Sequence, residues 1–446
     1  MTEYRLALTG DALITRPLST IVDDDLAALR GLVGSADFAF TNLEFIAAKP
    51  PFVPSARWNG LHVYAPATVL DELKDFGFNL FSLAHNHTMD YSSGGLLQTL
   101  QALGERGMVT AGAGPTLTQA RRPRYLDRNG YRASIMAACS TGATQTIAGD
   151  PDGVAEGRPG LSGLRYSTEY ELVPPQFAAL SEIDEALGTA TGTRQAEALS
   201  IVLDATMSKS RRSRRFLNAR FVEGTTTAVH THPSKLDVDD ICRWIRDARK
   251  QADLVVVSVH CHEGARGQYN ADNVADFALE AARTFIDAGA DVFAGHGPHQ
   301  LAGMEMYKGR PIFHSLGNFA FMVETVETVP DEFLQAAGLP PRSTASDFQD
   351  EREGAERGAK GFSAASVFWE SVVPVCDFTG GRVTSIELWP IVLMLGPSRA
   401  RRGVPVMASK DEGRRILERF AGLAQPFGTR VALGEKDGRS IGHVVL

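Results

Sequence analysis

Short apolar runs alternate along this chain with longer amphipathic segments. The runs are rich in Val, Ile, Phe and Ala, and they read YRLALTG, DFAFTNLE, FNLFSLA, YRASIMAA, DLVVVSV, DVFAG and RPIFHSLG. The segments between them carry apolar residues at helical spacing, and they read ATVLDELKDF, GGLLQTLQALGERG, VDDICRWIRDARKQA and NVADFALEAARTFIDAG. Because the runs have the length of buried strands and the segments that of helices, the alternation predicts an α/β fold.

Two stretches interrupt this alternation. Residues 140–233 show weak periodicity and many Gly, Thr and Arg, and residues 324–360 are polar and charged. Long irregular segments in compact proteins are usually functional or disordered. We therefore predict a single domain over 1–446 in which both stretches are inserted loops that cover a substrate site. Towards the carboxyl terminus, SVFWESVVPVCDF and GRVTSIELWPIVL alternate apolar and polar residues around a Gly-Gly turn, which predicts a β-hairpin.

Side chains that bind metals or transfer protons follow five of the predicted strands. They are Asp11 after the first, Asn42 and Glu44 after the second, His85, Asn86 and His87 after the third, His260, Cys261, His262 and Glu263 after DLVVVSV, and His296 and His299 after DVFAG. In α/β sheets, ligands bind outside the carboxyl ends of the strands. A single histidine at a strand end is more often a structural hydrogen-bond partner, but the repetition favours one shared site.

The chemistry of these side chains indicates a divalent metal. Carboxylates, an amide oxygen and several imidazoles form a mixed nitrogen and oxygen donor set without thiolate, which suits Mn, Zn, Fe, Mg or Ca. A carboxylate can bridge two ions, and paired ions about 3.5–4 Å apart recur in hydrolytic enzymes. The sequence therefore predicts one or two divalent ions and leaves their identity and number open.

Charge and cysteine usage narrow the classes of partner. The chain has 446 residues, with 53 acidic and 45 basic side chains, and its net charge of -8 argues against a nucleic-acid partner. The basic cluster KSRRSRR at 209–215 indicates either a solvated loop or a contact with an anionic or peptide ligand. The four cysteines form no CxxC pair, which favours the cytoplasm. We find neither a signal-peptide pattern nor an apolar run near about 18 residues, so we expect no membrane partner.

The order of the motifs GDA, TNLE, AHNHTMDY, GHGPH and IFHSLGNFAF resembles that of the CapA family of capsule and poly-gamma-glutamate synthesis proteins. The resemblance extends from about Tyr4 to Phe321 outside the inserted stretch. It implies the two-sheet α/β/β/α sandwich of calcineurin-like metallophosphoesterases, with the metal site at the strand ends. The ligands that it implies are Asp11, Glu44, Asn86, His260, His296 and His299, with His87 as the neighbouring acid or base.

Several motifs depart from the phosphoesterase pattern. The first motif, normally DxH, is DAL at 11–13, so one imidazole is missing. The second, normally GDxxD, contains NLE at 42–44, and the third, normally GNH, is HNH at 85–87. In GHGPH, His299 falls one residue beyond the usual GHxH spacing. The resemblance therefore implies a metal site without implying phosphoester hydrolysis.

Soluble members of this family resemble the metal-dependent peptide epimerases that invert the C-terminal residue of lasso-peptide precursors. By this resemblance the protein is an isomerase that takes a peptide substrate and needs no organic cofactor. His87, Asp90 and His262 would then remove and return the α-proton. Two alternatives remain, a metal-dependent hydrolase of a phosphoester, amide or gamma-glutamyl bond and a non-catalytic accessory protein of polymer synthesis. The oligomeric state stays open.

Overall fold

The computed structural model describes residues 2–56, 61–142, 144–199, 212–354, 360–396 and 398–446. In chain order, its strands are β1 (Tyr4–Leu13), β2 (Phe38–Leu43), β3 (Ile46–Ala47), β4 (Tyr64–Ala65), β5 (Leu80–Ser82), β6 (Val109–Ala111), β7 (Ala113–Gly114), β8 (Arg124–Arg128), β9 (Tyr131–Cys139), β10 (Gly160–Leu161), β11 (Tyr166–Leu172), β12 (Ser213–Phe216), β13 (Ala219–Glu223), β14 (Ala228–Pro233), β15 (Leu254–His260), β16 (Val292–His296), β17 (Met304–Tyr307), β18 (Arg310–Phe313), β19 (Asn318–Phe321), β20 (Glu370–Thr379), β21 (Arg382–Leu393), β22 (Pro405–Met407), β23 (Val431–Lys436) and β24 (Arg439–Val444). Its α-helices are α1 (Asp24–Gly34), α2 (Val69–Phe76), α3 (Ser92–Glu105), α4 (Leu117–Arg121), α5 (Pro174–Ala186), α6 (Thr189–Ala198), α7 (Lys235–Arg249), α8 (Asp276–Ala288), α9 (Asp331–Ala336), α10 (Ala345–Glu353) and α11 (Lys410–Ala424).

The largest sheet has ten strands and follows the order β23-β24-β21-β20-β1-β2-β5-β6, with β19 paired to β1 and β22 paired to β21. The part from β1 to β6 is parallel, whereas the part from β20 to β23 is antiparallel. The predicted hairpin is confirmed as β20 and β21. Gly380 and Gly381 form its turn with φ values of 58° and 69°, which glycine adopts without a Cβ clash.

The second large sheet has six strands in the order β17-β18-β16-β15-β9-β8. Its central strands β18, β16, β15 and β9 are parallel, and an antiparallel strand closes each edge. The apolar runs YRASIMAA, DLVVVSV and DVFAG lie in β9, β15 and β16. Parallel strands that are covered on both faces need apolar side chains on both faces, which explains why these runs are nearly continuous.

Buried side chains show which layers are in contact. Successive residues of a strand point to opposite faces, so Leu6 and Leu8 of β1 join a cluster shared by both large sheets, while Ala7 joins the cluster formed with α1, α2 and α3. On β15, Val256 belongs to the shared cluster and Val257 packs with α7 and α8. The two sheets therefore face each other with helices outside, and the predicted α/β class is confirmed.

Local signals set the helix ends. Asp23 caps α1 by accepting hydrogen bonds from the backbone N–H groups of Asp25 and Leu26. Gly289 follows α8 with a φ of 122°, as the glycine after IDA predicts. No helix within the described ranges combines the length and the apolar character that crossing a bilayer requires.

The stretch 140–233 was expected to be irregular, but it contains a four-stranded sheet in the order β12-β13-β11-β14 together with α5 and α6. The rings of Tyr166 and Phe277 stack with centroids 4.2 Å apart, and the Phe277 N–H donates to Thr231 Oγ1, so this small sheet packs on α8. Its strands are half-buried over most of their length. Half-buried strands with many polar residues give little periodicity, which explains the difference.

The basic cluster of this stretch pairs with acidic residues of the same stretch. Residues 209–211 lie outside the described residues. Arg212 forms an ion pair with Glu223, and Arg214 forms one with Asp184. These two arginines are therefore bound within the small sheet and its helices, which agrees with a structural function for this part of the cluster.

The stretch 324–360 also contains helices where loops were expected. α9 buries Phe333, and α10 buries Phe348. A capping box starts α10, in which the side chains of Thr344 and Asp347 each bond the backbone of the other. The prediction of loops was wrong because this stretch is mostly charged and its two short helices bury only a few apolar residues in the core.

Candidate metal centre

Three strand ends bring Asp11, His260 and His296 together. The parallel pairing of β15 and β16 places His260 beside His296, and that of β1 and β2 places Asp11 beside Asn42. The side chains of the three potential ligands are fully buried, and one ligand atom of each lies within 4.8 Å of the others. We call Asp11, His260 and His296 the first triad.

Short contacts hold the first triad in place. Asp11 Oδ1 lies 3.0 Å from His296 Nδ1 and 3.5 Å from His260 Nδ1. Asn42 Nδ2 donates to Asp11 Oδ1 at 2.8 Å, and the Gly297 N–H donates to Asp11 Oδ2 at 3.0 Å. The two imidazole Nδ1 atoms are themselves 3.0 Å apart. This convergence of one carboxylate and two ring nitrogens is the geometry that a bound cation needs.

A second triad consists of Glu44, His262 and His299, whose ligand atoms also lie within 4.8 Å of one another. His262 Nδ1 is 2.6 Å from Asn270 Oδ1, and His299 Nδ1 is 2.9 Å from Asn318 Oδ1. Amide oxygens only accept hydrogen bonds, so both Nδ1 atoms carry the proton. Nε2 of each ring then carries the lone pair that a metal ligand needs, although that of His262 also lies 2.9 Å from His260 Nε2.

Burial and neighbouring charges shift the pKa values of the two carboxyl groups in opposite directions. Burial alone would raise the pKa of Asp11, but His296 and His260 lower it well below its ordinary value. Burial, followed by the charges of Asp11 and Asp90, raises the pKa of Glu44 well above its ordinary value. Asp11 is thus ready as an anion, whereas Glu44 needs a cation beside it to ionise.

Burial favours the neutral imidazole at three histidines of the triads, His260, His262 and His299. It lowers the pKa of His260 to about 4 against the opposing effect of Asp11. It also lowers the pKa of His262 and of His299. Neutral imidazole is the form that binds metal ions, so these protonation states suit a metal centre.

Buried polar atoms without hydrogen-bond partners indicate whether a metal ion fits this site. Glu44 Oε1 and Oε2 are buried and have no hydrogen-bond partner among the described residues, and the same holds for His85 Nδ1 and Nε2. Unpaired buried groups are costly, and native proteins rarely leave them without a purpose. A divalent cation beside Glu44 removes this cost for the carboxylate. The donors of each triad therefore fit a divalent ion such as Mn, Zn or Fe.

A cavity of about 370 Å³ lies beside the second triad. Its lining residues are Leu13, Leu61, Val63, Asn86, His87, His262, Tyr269, Asn270, His299, Phe321, Val323, Arg352 and Phe362. The lining thus combines imidazole and amide groups with a large apolar share. The described part of 140–233 contributes no lining residue, so its predicted covering role stays a prediction, whereas Arg352 comes from 324–360.

His87 lines this cavity, and Asp90 contacts the side of its ring that faces away from the cavity. Its Nδ1 lies 2.8 Å from Asp90 Oδ2, which also accepts the Val63 N–H at 2.8 Å. His62 Nδ1 lies 3.9 Å from the other oxygen of Asp90. With Nδ1 bound to a carboxylate, His87 retains Nε2 for exchange of a proton with a ligand in the cavity.

The structure brings the predicted site residues into one region. The predicted metal ligands found in the triads are Asp11, Glu44, His260, His296 and His299. Asn86 and His87 line the cavity. His262 was predicted as an acid or base and lies among the potential ligands, and Asp90 contacts His87 behind the cavity. The roles of these residues stay predictions.

Several residues near the triads received no individual role from the sequence, although Asn42 and His85 were named among the strand-end groups. They are His85, Ser258, whose Oγ lies 2.7 Å from His296 Nε2, and the amides of Asn42, Asn270 and Asn318. The signal for His85 is that it occupies the glycine position of the phosphoesterase motif GNH. Ser258 precedes His260 by two residues on β15, so strand alternation could have placed it on the same face.

An α/β fold with two buried triads at its strand ends defines a protein with a candidate dinuclear metal centre. The chain belongs to the bacterial capsule synthesis protein PGA_cap family, whose model matches residues 5–323. This match confirms the resemblance to the CapA family. The more specific resemblance to lasso-peptide epimerases stays a prediction.

Three related proteins align with this chain over different lengths. The uncharacterized protein y4sH of Sinorhizobium fredii is 30% identical over 442 residues, which cover 98% of this chain and 92% of the relative. The capsule biosynthesis protein CapA of Bacillus anthracis is 25% identical over 263 residues, covering 58% of this chain and 44% of the relative. The PGA biosynthesis protein CapA of Bacillus subtilis is 46% identical over 77 residues, covering 17% of this chain and 19% of the relative.

Proposed function

We propose that the protein is a metal-dependent accessory protein of polyglutamate-type polymer synthesis, which binds a carboxylate-bearing chain at a dinuclear centre. The observation that carries this proposal is the pair of buried triads beside one cavity. Two relatives are named as capsule or PGA biosynthesis proteins, and one from Mycobacterium tuberculosis is named as a probable polyglutamine synthesis accessory protein. The CapA names support a glutamate polymer, which carries carboxylates, as the ligand, whereas the polyglutamine name supports a chain with side-chain amides.

The arrangement of layers supports the calcineurin-like metallophosphoesterase type of sandwich. Two sheets share a buried cluster, helices cover their outer faces, and the candidate ligands follow the carboxyl ends of parallel strands. Calcineurin-like metallophosphoesterases bind their metals at such strand ends. Leu13 lines the cavity where the phosphoesterase motif has a histidine, which makes this part of the site less polar than the pattern implies.

The residues have separable tasks in this proposal. Divalent ions held by the triads would act as Lewis acids on an oxygen of the ligand. Asn42 and the Gly297 N–H fix both oxygens of Asp11, so the first triad keeps its shape. Asp90 holds the ring of His87 at the cavity, and in the catalytic alternatives His87 would give or take a proton at Nε2.

Epimerisation at a peptide α-carbon is the second candidate, and the pair of His87 and Asp90 favours it. Removal of an α-proton needs a base next to the centre that holds the carboxyl group, and His87 lies in that cavity. The partner would then be a cytoplasmic precursor peptide. A hydrolase of a phosphoester or gamma-glutamyl bond would use the same histidine to protonate the leaving group.

One incubation distinguishes these functions. The metal-loaded protein is mixed in heavy water with poly-gamma-glutamate and, separately, with peptides that have a free C-terminus. Mass spectrometry and size analysis then report products, and calorimetry reports binding. We expect binding of poly-gamma-glutamate that Asp11→Asn abolishes. Shortened chains would identify a hydrolase, and deuterium at an α-carbon would identify an epimerase.

Asp90→Asn is the variant that separates binding from proton transfer. It should retain the metal and the bound chain, because Asp90 belongs to neither triad, and it should lose about 10²–10⁴-fold in any proton-transfer rate. A metal-replete protein that neither binds nor alters poly-gamma-glutamate would contradict the main proposal.

A further inference from the structure

Arg352, near the end of α10, is a cation in the cavity lining that forms no ion pair with any described residue. Its Nη1 is buried, and no described residue accepts a hydrogen bond from it. The carboxylate of the adjacent Glu353 instead accepts hydrogen bonds from the backbone and side chain of Ser363 at 2.9 and 2.8 Å. Burial lowers the pKa of the Arg352 guanidinium, and the charge of Glu353 opposes this effect. A buried guanidinium nitrogen without an acceptor is costly unless a ligand supplies one.

The position of Arg352 is built by the core rather than left to a free loop. Phe348, one turn earlier on α10, is 1% exposed, and its ring lies 5.8 Å from Arg352 Cζ. Gln349 Nε2 donates to the Val323 carbonyl at 2.8 Å. A Cβ at Gly361 would lie 2.7 Å from the Arg352 carbonyl oxygen, so the following segment passes close against the end of α10. These contacts hold the guanidinium at the wall of the cavity.

We propose that Arg352 is the residue that recognises an anionic oxygen group of the substrate, a carboxylate or a phosphate, beside the metal centre. A guanidinium offers paired N–H donors that match either group in a two-point contact. Leu61, Val63 and Phe362 also line the cavity, and their apolar surface excludes water, which strengthens such a contact. The substrate class is thus a molecule with one anionic group for Arg352 and a second oxygen group for the triads.

This inference deepens the proposed function, but the Arg352 contact can be tested with or without metal. Inorganic phosphate and acetate serve as probes, titrated by calorimetry into the full chain, both metal-loaded and treated with a chelator. Arg352→Gln should weaken binding of the preferred anion about 10- to 100-fold in both forms. Arg352→Lys should recover part of the affinity, because it keeps the charge but loses the paired donors.

Arg342→Gln is the matched control, since Arg342 is an exposed arginine of the same stretch, and it should leave anion binding unchanged. Equal weakening by Arg342→Gln and Arg352→Gln would overturn the inference, as would wild-type affinity in Arg352→Gln. Metal content measured on each variant keeps the two proposals separate. Normal metal content with unchanged anion affinity in Arg352→Gln refutes only the role of Arg352. Arg352-dependent binding in a protein that takes up no metal refutes only the dinuclear centre.

Discussion

The Nε2 atoms of His260 and His262 lie 2.9 Å apart, and this contact joins the two triads. Residues two apart in an extended chain point to the same side, so both histidines face the site at the end of β15. Cys261 between them points elsewhere, with its Sγ 3.3 Å from Glu263 Oε2. The HCH sequence therefore delivers one ligand to each triad from a single strand end.

Glu44 is the only carboxylate of the second triad, so its charge should decide whether that triad holds an ion. Glu44→Gln keeps the shape of the side chain and removes the charge. We expect the purified protein to lose one equivalent of bound metal, measured by elemental analysis after dialysis. Glu263→Gln is the control, because Glu263 also follows β15 but accepts hydrogen bonds from Ser140 and Thr141. Full metal content in Glu44→Gln would refute the second metal site.

His85 should contribute to the metal centre at the expense of stability. Its ring is fully buried 6.2 Å from that of His260, and neither nitrogen has a partner among the described residues. His85→Leu removes two unpaired polar atoms, so the metal-free protein should gain about 1–2 kcal/mol in free energy of unfolding. Metal affinity, measured by calorimetry, should fall.

His314→Leu is the control for that experiment. His314 is another buried histidine, its Nε2 has no partner among the described residues, and its ring centroid lies 4.3 Å from that of Phe427 outside the triads. Its replacement should change stability in the same direction and leave metal affinity as it is. Loss of affinity in both variants would show a general structural effect rather than a contribution of His85.

Position 10, directly before Asp11, requires glycine because β1 there lies against the backbone of Gly317, which precedes β19. A Cβ at Gly10 would lie 1.8 Å from the Gly317 carbonyl oxygen, which accepts the Asp11 N–H at 2.9 Å. Gly10→Ala should therefore cost about 3 kcal/mol in free energy of unfolding and weaken metal binding. Chemical denaturation measures the first effect. Gly31→Ala, in the open interior of α1 with no atom within 4 Å, should instead add roughly 0.5–1 kcal/mol.

Asp237 should make stability depend on acid pH. Its buried carboxylate bonds Arg121 and accepts from Arg165 Nε and Nη2, each at 2.7 Å. Burial alone would raise the pKa of Asp237, but hydrogen bonds from Arg165 and Arg121 lower it below its ordinary value. The unfolded chain then takes up a proton more readily than the folded chain. The contribution is therefore complete above the ordinary pKa near 4 and is lost as pH falls through the folded-state pKa.

Asp237→Asn should cost roughly 1–3 kcal/mol at neutral pH, because it removes the anionic partner of the exposed Arg165 and of the buried Arg121, which keeps Asp240 and the Gly163 carbonyl. It should also flatten the loss of stability below pH about 5. Denaturant titrations across pH measure both effects. Asp239→Asn, on the same helix, breaks only an exposed ion pair with Lys235 and should cost under about 1 kcal/mol. A wild-type pH profile in Asp237→Asn would contradict this account.

Local patterns carried much of the fold and of the ligand set. The continuous apolar runs of β9, β15 and β16 identify strands buried on both faces, and the polar groups directly after them identify the edge where a site forms. Asp11, Glu44, His260, His296 and His299 were recognisable for this reason. Strand burial and strand-end chemistry are properties of neighbouring residues, so a linear sequence records them.

Which distant residues contact one another depends on tertiary packing and could not be predicted from the sequence. Whether His262 can bind a metal depends on the positions of Glu44 and His299. Glu44 follows a strand of the other large sheet, and His299 follows another strand end. Arg352 reaches the cavity only because Phe348 and Gln349 anchor α10 in the core. The half-buried sheet of 140–233 likewise has little periodicity of its own. Such contacts join residues far apart in the chain, and their free energy depends on the burial and charge that exist only once the sheets have packed.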